Sequence, residues 1–128
     1  MSKSNYLEDK ILDHALGTTS YSIPTPYLAL HTANPDEDGS GAELSGTGYS
    51  RSAITFNAAS GGTATGPDSA IEYTNSGGSP WDEVTHFGVW DASSSGNLLY
   101  YGALTTAKTI AAGDTLRFTA DSISISEG

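Results

Sequence analysis

Three histidines, His14, His31 and His86, sit in a chain rich in serine and aspartate, the residue types of a hydrolytic triad. A triad needs a nucleophile, a base and an orienting acid in one place, and no nucleophile-elbow pattern marks such a place. His31 and His86 fall in strand-like segments, where a histidine at a sheet surface or edge needs no catalytic role. Zinc requires three or four ligands held together, and nothing in the spacing gathers the three histidines. The sequence has no cysteine, which removes disulfides, thiolate metal sites and cysteine nucleophiles. These residues predict a protein that is not an enzyme and has no cofactor.

Two further groups have ligand-type chemistry. Asp36-Glu37-Asp38-Gly39-Ser40-Gly41-Ala42-Glu43 offers oxygen ligands on a flexible loop, with Asp36, Asp38 and Glu43 as calcium candidates. The EF-hand spacing is incomplete and no helix flanks it, so the competing reading is a solvated acidic loop. Against a neighbouring subunit its acids would seek Lys or Arg. Trp81, Trp90, Tyr100 and Tyr101 are aromatic faces on which a sugar ring could stack, although Trp90, in an alternating strand, reads as core. Tyr100 and Tyr101 are adjacent, so they point to opposite faces and one is expected to be exposed. An exposed Tyr suits a protein contact as well as a glycan.

The charge balance narrows the partners. Fifteen acids against five bases give a net charge of −10. Nucleic-acid affinity comes largely from Lys and Arg neutralising phosphates, so nucleic acid is not an expected partner. The same field repels anionic membranes, and no run approaches the roughly 20 apolar residues of a span. The charged opening, MSKSNYLEDKILDHALG, does not read as a signal peptide.

The elements that must position these groups are mostly strands. At 128 residues the chain suits one domain with a modest core. Tyr6, Leu7, Ile11, Leu12, Ala15 and Leu16 recur at helical spacing and predict one short amphipathic helix. Asn5 and Glu8 have the spacing of a capping box with Asn5 as N-cap, and Gly17 suits the position past the end. From residue 27 the period becomes two. Strands are expected over 27–32, 51–57, 70–74, 84–91, 97–104, 108–110, 115–120 and 121–126, with a long polar loop over 33–50 and a Gly-rich turn over 58–69. In the strongest strand, Val84, His86, Gly88 and Trp90 are expected on one face. The pattern predicts an all-β fold: a single β-sandwich or jelly-roll-like domain of about eight short antiparallel strands after one N-terminal helix. Residues 1–25 read as a helix and linker arm, and 26–128 as the sandwich. The helix has two readings, a cap on its own sandwich or an arm docked on a partner.

Several blocks then stand together. Trp81-Asp82-Glu83-Val84-Thr85-His86-Phe87-Gly88-Val89-Trp90, Gly96-Asn97-Leu98-Leu99-Tyr100-Tyr101-Gly102 and Gly113-Asp114-Thr115-Leu116-Arg117-Phe118 resemble a widespread family of small tailed-phage structural proteins. So do Tyr6-Leu7-Glu8 with Leu12-Asp13-His14, the strand Leu28-Ala29-Leu30-His31-Thr32, and Gly48-Tyr49-Ser50-Arg51. The resemblance covers nearly the whole chain. It implies a virion structural protein made in the host cytoplasm, with no catalytic residues. The main expectation is a capsid decoration or cement protein on the outer shell, bound to the major capsid protein and homo-oligomeric, with a trimer favoured. The alternative is a tail or fibre component, with a possible carbohydrate-binding role in adsorption. Partner contacts are expected at Tyr6, Leu7, Ile11, Leu12, Tyr100 and Tyr101.

Overall fold

The computed structural model describes residues 2–22 and 24–127. Met1, Ile23 and Gly128, which fall inside the arm and sandwich ranges read from the sequence, lie outside the described residues. The chain forms β1 (Ser2–Lys3), α1 (Asn5–Ala15), β2 (Tyr27–His31), β3 (Ser52–Ala53), β4 (Thr63–Gly66) and β5 (Ile71–Thr74). It continues with β6 (Val84–Trp90), β7 (Leu98–Lys108), β8 (Thr115–Phe118) and β9 (Ile123–Ser126). All pairings are antiparallel: one five-stranded sheet ordered β1-β7-β6-β2-β3, and two ribbons, β4-β9 and β5-β8.

The sandwich follows from which faces are apolar. Leu28, Leu30, Phe87, Val89 and Leu99 on the sheet meet Ile71, Tyr73, Phe118, Ile123 and Ile125 on the ribbons in one core. Leu28 and Leu30 are fully buried, and burying such a side chain stabilises the fold by about 1.5–3 kcal/mol. Tyr73 crosses between the layers, and its hydroxyl donates to the Leu28 carbonyl at 2.6 Å. An edge-to-face series, Tyr73–Phe118–Phe87, fills the gap beneath it.

The helix starts one residue earlier than the Asn5 cap expected from the sequence. Ser4 is the N-cap, in extended conformation, and its Oγ accepts from the Leu7 N–H at 3.2 Å. The same hydroxyl donates to the Leu98 carbonyl, so the cap also ties α1 to β7. At the other end Gly17 takes φ +78°. Thr18 N–H bonds to Asp13 O at 2.8 Å and Gly17 N–H to His14 O at 3.3 Å, the paired bonds of a Schellman stop.

The six-residue apolar stripe splits. Leu7 lies in the core of its own domain, with Tyr6 and Ile11 packed against it. Leu12 and Leu16 are 56% and 76% exposed. At about 100° per residue, Ile11 lies about 40° around the helix from Leu7, but Leu12 lies about 140° away, so one sheet cannot cover both.

Strand limits differ where pairing, not pattern, decides. Ser2–Lys3 forms an edge strand on Tyr100 and Tyr101, which no alternation signals over two residues. The expected Gly-rich turn over 58–69 contains β4, held by β9 although Thr63–Gly66 has no apolar alternation. Of the expected 51–57 strand only Ser52–Ala53 forms a strand, with Ile54, Thr55 and Asn57 making single backbone bonds to Pro26, Asp68 and Thr65, and β7 runs on to Lys108 with no separate strand at 108–110. In β6 a register shift between Val84 and His86 breaks the period of two. Val84 therefore enters the main core beside Phe87 and Val89, leaving the face it was expected to share with His86, Gly88 and Trp90.

Candidate functional site

The outer face of the five-stranded sheet carries the chain's densest polar construction. Ala29, Trp90 and Leu98 form a small second core there, with Tyr101 packed against it. The acidic loop lies over it. After β2 the chain turns and comes back antiparallel, with a bridge between His31 and Glu43. Leu44 N–H bonds to Leu30 O and Thr32 N–H to Ala42 O, both at 2.9 Å. Gly39 sits on the aromatic floor: a Cβ there would stand 3.1 Å from both Leu98 Cβ and the Trp90 ring, and φ is +73°. Only glycine meets both conditions without strain.

Arg51 clamps this loop. Its guanidinium reaches Glu43 in bidentate fashion, Nη2 to Oε1 at 2.9 Å and Nε to Oε2 at 3.0 Å. Nη1 donates to the Ala92 and Ser95 carbonyls at 2.9 and 2.8 Å, capturing the β6–β7 turn. The cation also lies 4.2 Å from the centre of the Trp90 ring. Tyr49 adds a second clamp: its hydroxyl donates to Glu43 Oε2 at 2.6 Å and accepts from the Leu30 N–H at 3.0 Å. Burial pushes the Glu43 carboxyl up, but the bonds from Arg51 and Tyr49 outweigh it and hold Glu43 below the usual carboxylate range. Burial, then the bond to Glu43, drives the Tyr49 phenol well above its ordinary value.

His31 completes the brace. It is fully buried and stacked on Trp90, with centroids 6.0 Å apart and planes 13° apart. Trp90 Nε1–H donates to His31 Nε2 at 3.2 Å, which fixes the neutral ring with its proton on Nδ1. Burial lowers the His31 pKa below its ordinary value of 6.5; Glu43 and the Gly41 and Ala42 carbonyls oppose this, and Arg51 adds to it. The other charged or titratable group facing it is His86, opposite in the β2–β6 register. A depressed histidine binds a proton more readily unfolded than folded. The stability it contributes is complete above pH 6.5 and is lost as pH falls below it toward the folded value. Glu43 adds a second loss as pH falls below the ordinary carboxyl value of 4.5. The melting temperature is thus expected to drop between pH 7.5 and 5.5, and His31→Gln to flatten that slope. Equal slopes in thermal melts of the two proteins would contradict this reading.

The structure places the other sequence candidates separately. Asp36 and Asp38 are exposed, and Asp38 Oδ1 accepts from the Ser40 N–H at 2.9 Å. Both oxygens of Glu43 are engaged by Arg51 and Tyr49. Among the described residues no three of the His, Asp or Glu side chains stand close enough to share a metal ion. His14 Nδ1 accepts from the Tyr21 N–H, and His86, although opposite His31 in the β2–β6 register, meets the Thr85 hydroxyl through Nδ1.

Tyr100 and Tyr101 do point to opposite faces, toward the main core and the second core respectively. Neither is fully exposed, because β1 pairs against both. Tyr100 donates to Glu127 at 2.6 Å, and Lys3 bonds the same carboxylate at 2.7 Å. Trp81 is buried, its indole N–H donating to the Thr47 carbonyl. The clamp formed by Arg51 was not read from the sequence. Its one local signal is a basic residue two positions after a tyrosine in a chain where bases are scarce.

These features define a scaffold-type β-sandwich, in which the polar residues on this face hold loops in place. The chain belongs to the podophage GP4 fiber I protein gp80 family, whose model matches residues 2–126 and so takes in the helix and all nine strands. It is accordingly a phage virion structural protein. No curated protein matches the chain.

Proposed function

We propose that this chain is a structural component of a podophage tail fibre, working by protein–protein contact and not by catalysis. The observation that carries the reading is the family match over residues 2–126, whose description is that of a fibre protein. It weighs for the tail alternative over the head-surface cement role that led the sequence-based expectation. The fold suits such a role. A braced sandwich presents fixed surfaces, and each copy adds interface area that stabilises the assembly by mass action. Its partner is another virion protein, and copies of the chain also associate with one another. Of the contact residues expected from the sequence, Leu7 is occupied within its own domain, while Leu12 is open to a partner.

Gold-labelled antibody against the chain, imaged on intact virions, tests the location. A few copies at the tail are expected. Label spread over the head would overturn the tail reading in favour of shell decoration.

A further inference from the structure

Two surfaces lie near opposite ends of β7 and have complementary chemistry. The first is on α1. Leu12 and Leu16 are the exposed large hydrophobic side chains of the described residues. They are one turn apart, so they form a single apolar knob. Glu8, Asp9 and Asp13 stand around it on the same side of the helix, four and three residues before Leu12 and one after. The knob is therefore apolar with an acidic rim.

The second surface is a groove of about 410 Å³ between the far end of β7 and the strands β8 and β9. Half-buried Leu104 and Leu116, with Phe118 and Ile123, make its apolar wall, and Lys108 and Arg117 border it. The chain has five basic residues. Lys3 is paired with Glu127, Arg51 with Glu43, and Lys10 lies over the Tyr6 ring. Among the described residues Lys108 and Arg117 make no ion pair, although Glu72 sits opposite Arg117 in the β5–β8 register. The cations left over in this acidic chain thus border this groove.

We infer that the Leu12–Leu16 knob of one copy docks in the Lys108–Arg117 groove of a second copy, joining chains head to tail. Knob and groove are different surfaces, so the contact is heterologous and produces a closed ring or an open filament, according to the rotation between copies. The net charge of −10 repels copies at long range, and salt screens that repulsion. Burial of the leucines does not depend on charge. This inference goes beyond the tail assignment and does not depend on it.

Sedimentation velocity over a concentration series tests it with two variants whose substituted side chains are all exposed: Leu12→Glu/Leu16→Glu for the knob and Lys108→Glu/Arg117→Glu for the groove. Circular dichroism and melting curves check that both remain folded. The unaltered chain is expected to assemble with rising concentration, and each variant to raise the dissociation constant at least about tenfold. Mixing the two variants leaves one intact knob and one intact groove, so it restores a dimer and nothing larger. A chain that stays monomeric at every concentration overturns the inference. So does assembly that survives both variants, or mixing that restores no dimer. None of these results bears on where the protein sits on the virion, which the labelling experiment reads separately.

Discussion

Arg51→Met is expected to destabilise the fold by about 3 kcal/mol, at the low end of what breaking a buried ion pair costs. The guanidinium is 5% exposed and Glu43 29% exposed, so the abandoned carboxylate regains some water but not all of it. The change also frees the Ala92 and Ser95 carbonyls and removes the cation from the Trp90 face. Methionine restores part of the buried length, which separates lost polar contacts from lost packing. Arg51→Lys should recover less than half, because an ammonium cannot bond Glu43 in bidentate fashion while reaching two carbonyls. Urea unfolding followed by tryptophan fluorescence measures both. A loss below about 1 kcal/mol, the range of surface ion pairs, would show that the clamp does not hold the loop. In a domain with about 5–15 kcal/mol in total, the expected loss is a large fraction.

Trp90→Ala is expected to cost about 3–5 kcal/mol, the range for emptying a buried aromatic site. Trp90 is 8% exposed, forms the floor under Gly39, and stacks on His31. Trp90→Phe keeps most of the packing but withdraws the N–H from His31 Nε2, leaving that nitrogen of a fully buried ring without its donor. It should therefore lie between the alanine variant and the unaltered chain. Because Arg51 and Trp90 are in contact, the double variant Arg51→Met/Trp90→Ala should cost less than the sum of the two, by at least about 0.5 kcal/mol. Strict additivity would mean that the stack of cation and indole carries no energy.

Both changes act on a segment whose role changed between sequence and structure. Loop 33–50 reads as a polar excursion, and Glu43 as one oxygen ligand among several. In the folded chain that loop is the cover of a small second core, and Glu43 is the anion of its clamp. Local composition could not show this. Glu43 and Arg51 are eight residues apart with no regular element between them, and Arg51 meets the Ala92 and Ser95 carbonyls across 41 and 44 residues.

Period-two alternation was enough to find β2, β5, β8 and β9 and, past its bulge at Val84, β6, because alternate side chains of these strands enter the main core and leave that imprint in the residue order. Helical spacing likewise located α1, and Gly17 its end. The all-β class, the acidic surface and the lack of thiol chemistry were all readable from the residues alone. Only the tertiary structure decided how far each strand runs, since β1 and β4 exist through the backbone hydrogen bonds of a distant partner strand, which need no particular side chain. It also decided which half of the apolar helix stripe is covered. The stripe is wider than the contact one sheet offers, so Leu7 went inside and Leu12 and Leu16 stayed out. Composition limits what a side chain is able to do, but the distances among Glu43, Arg51, His31 and Trp90 come from long-range packing that no short stretch of sequence encodes.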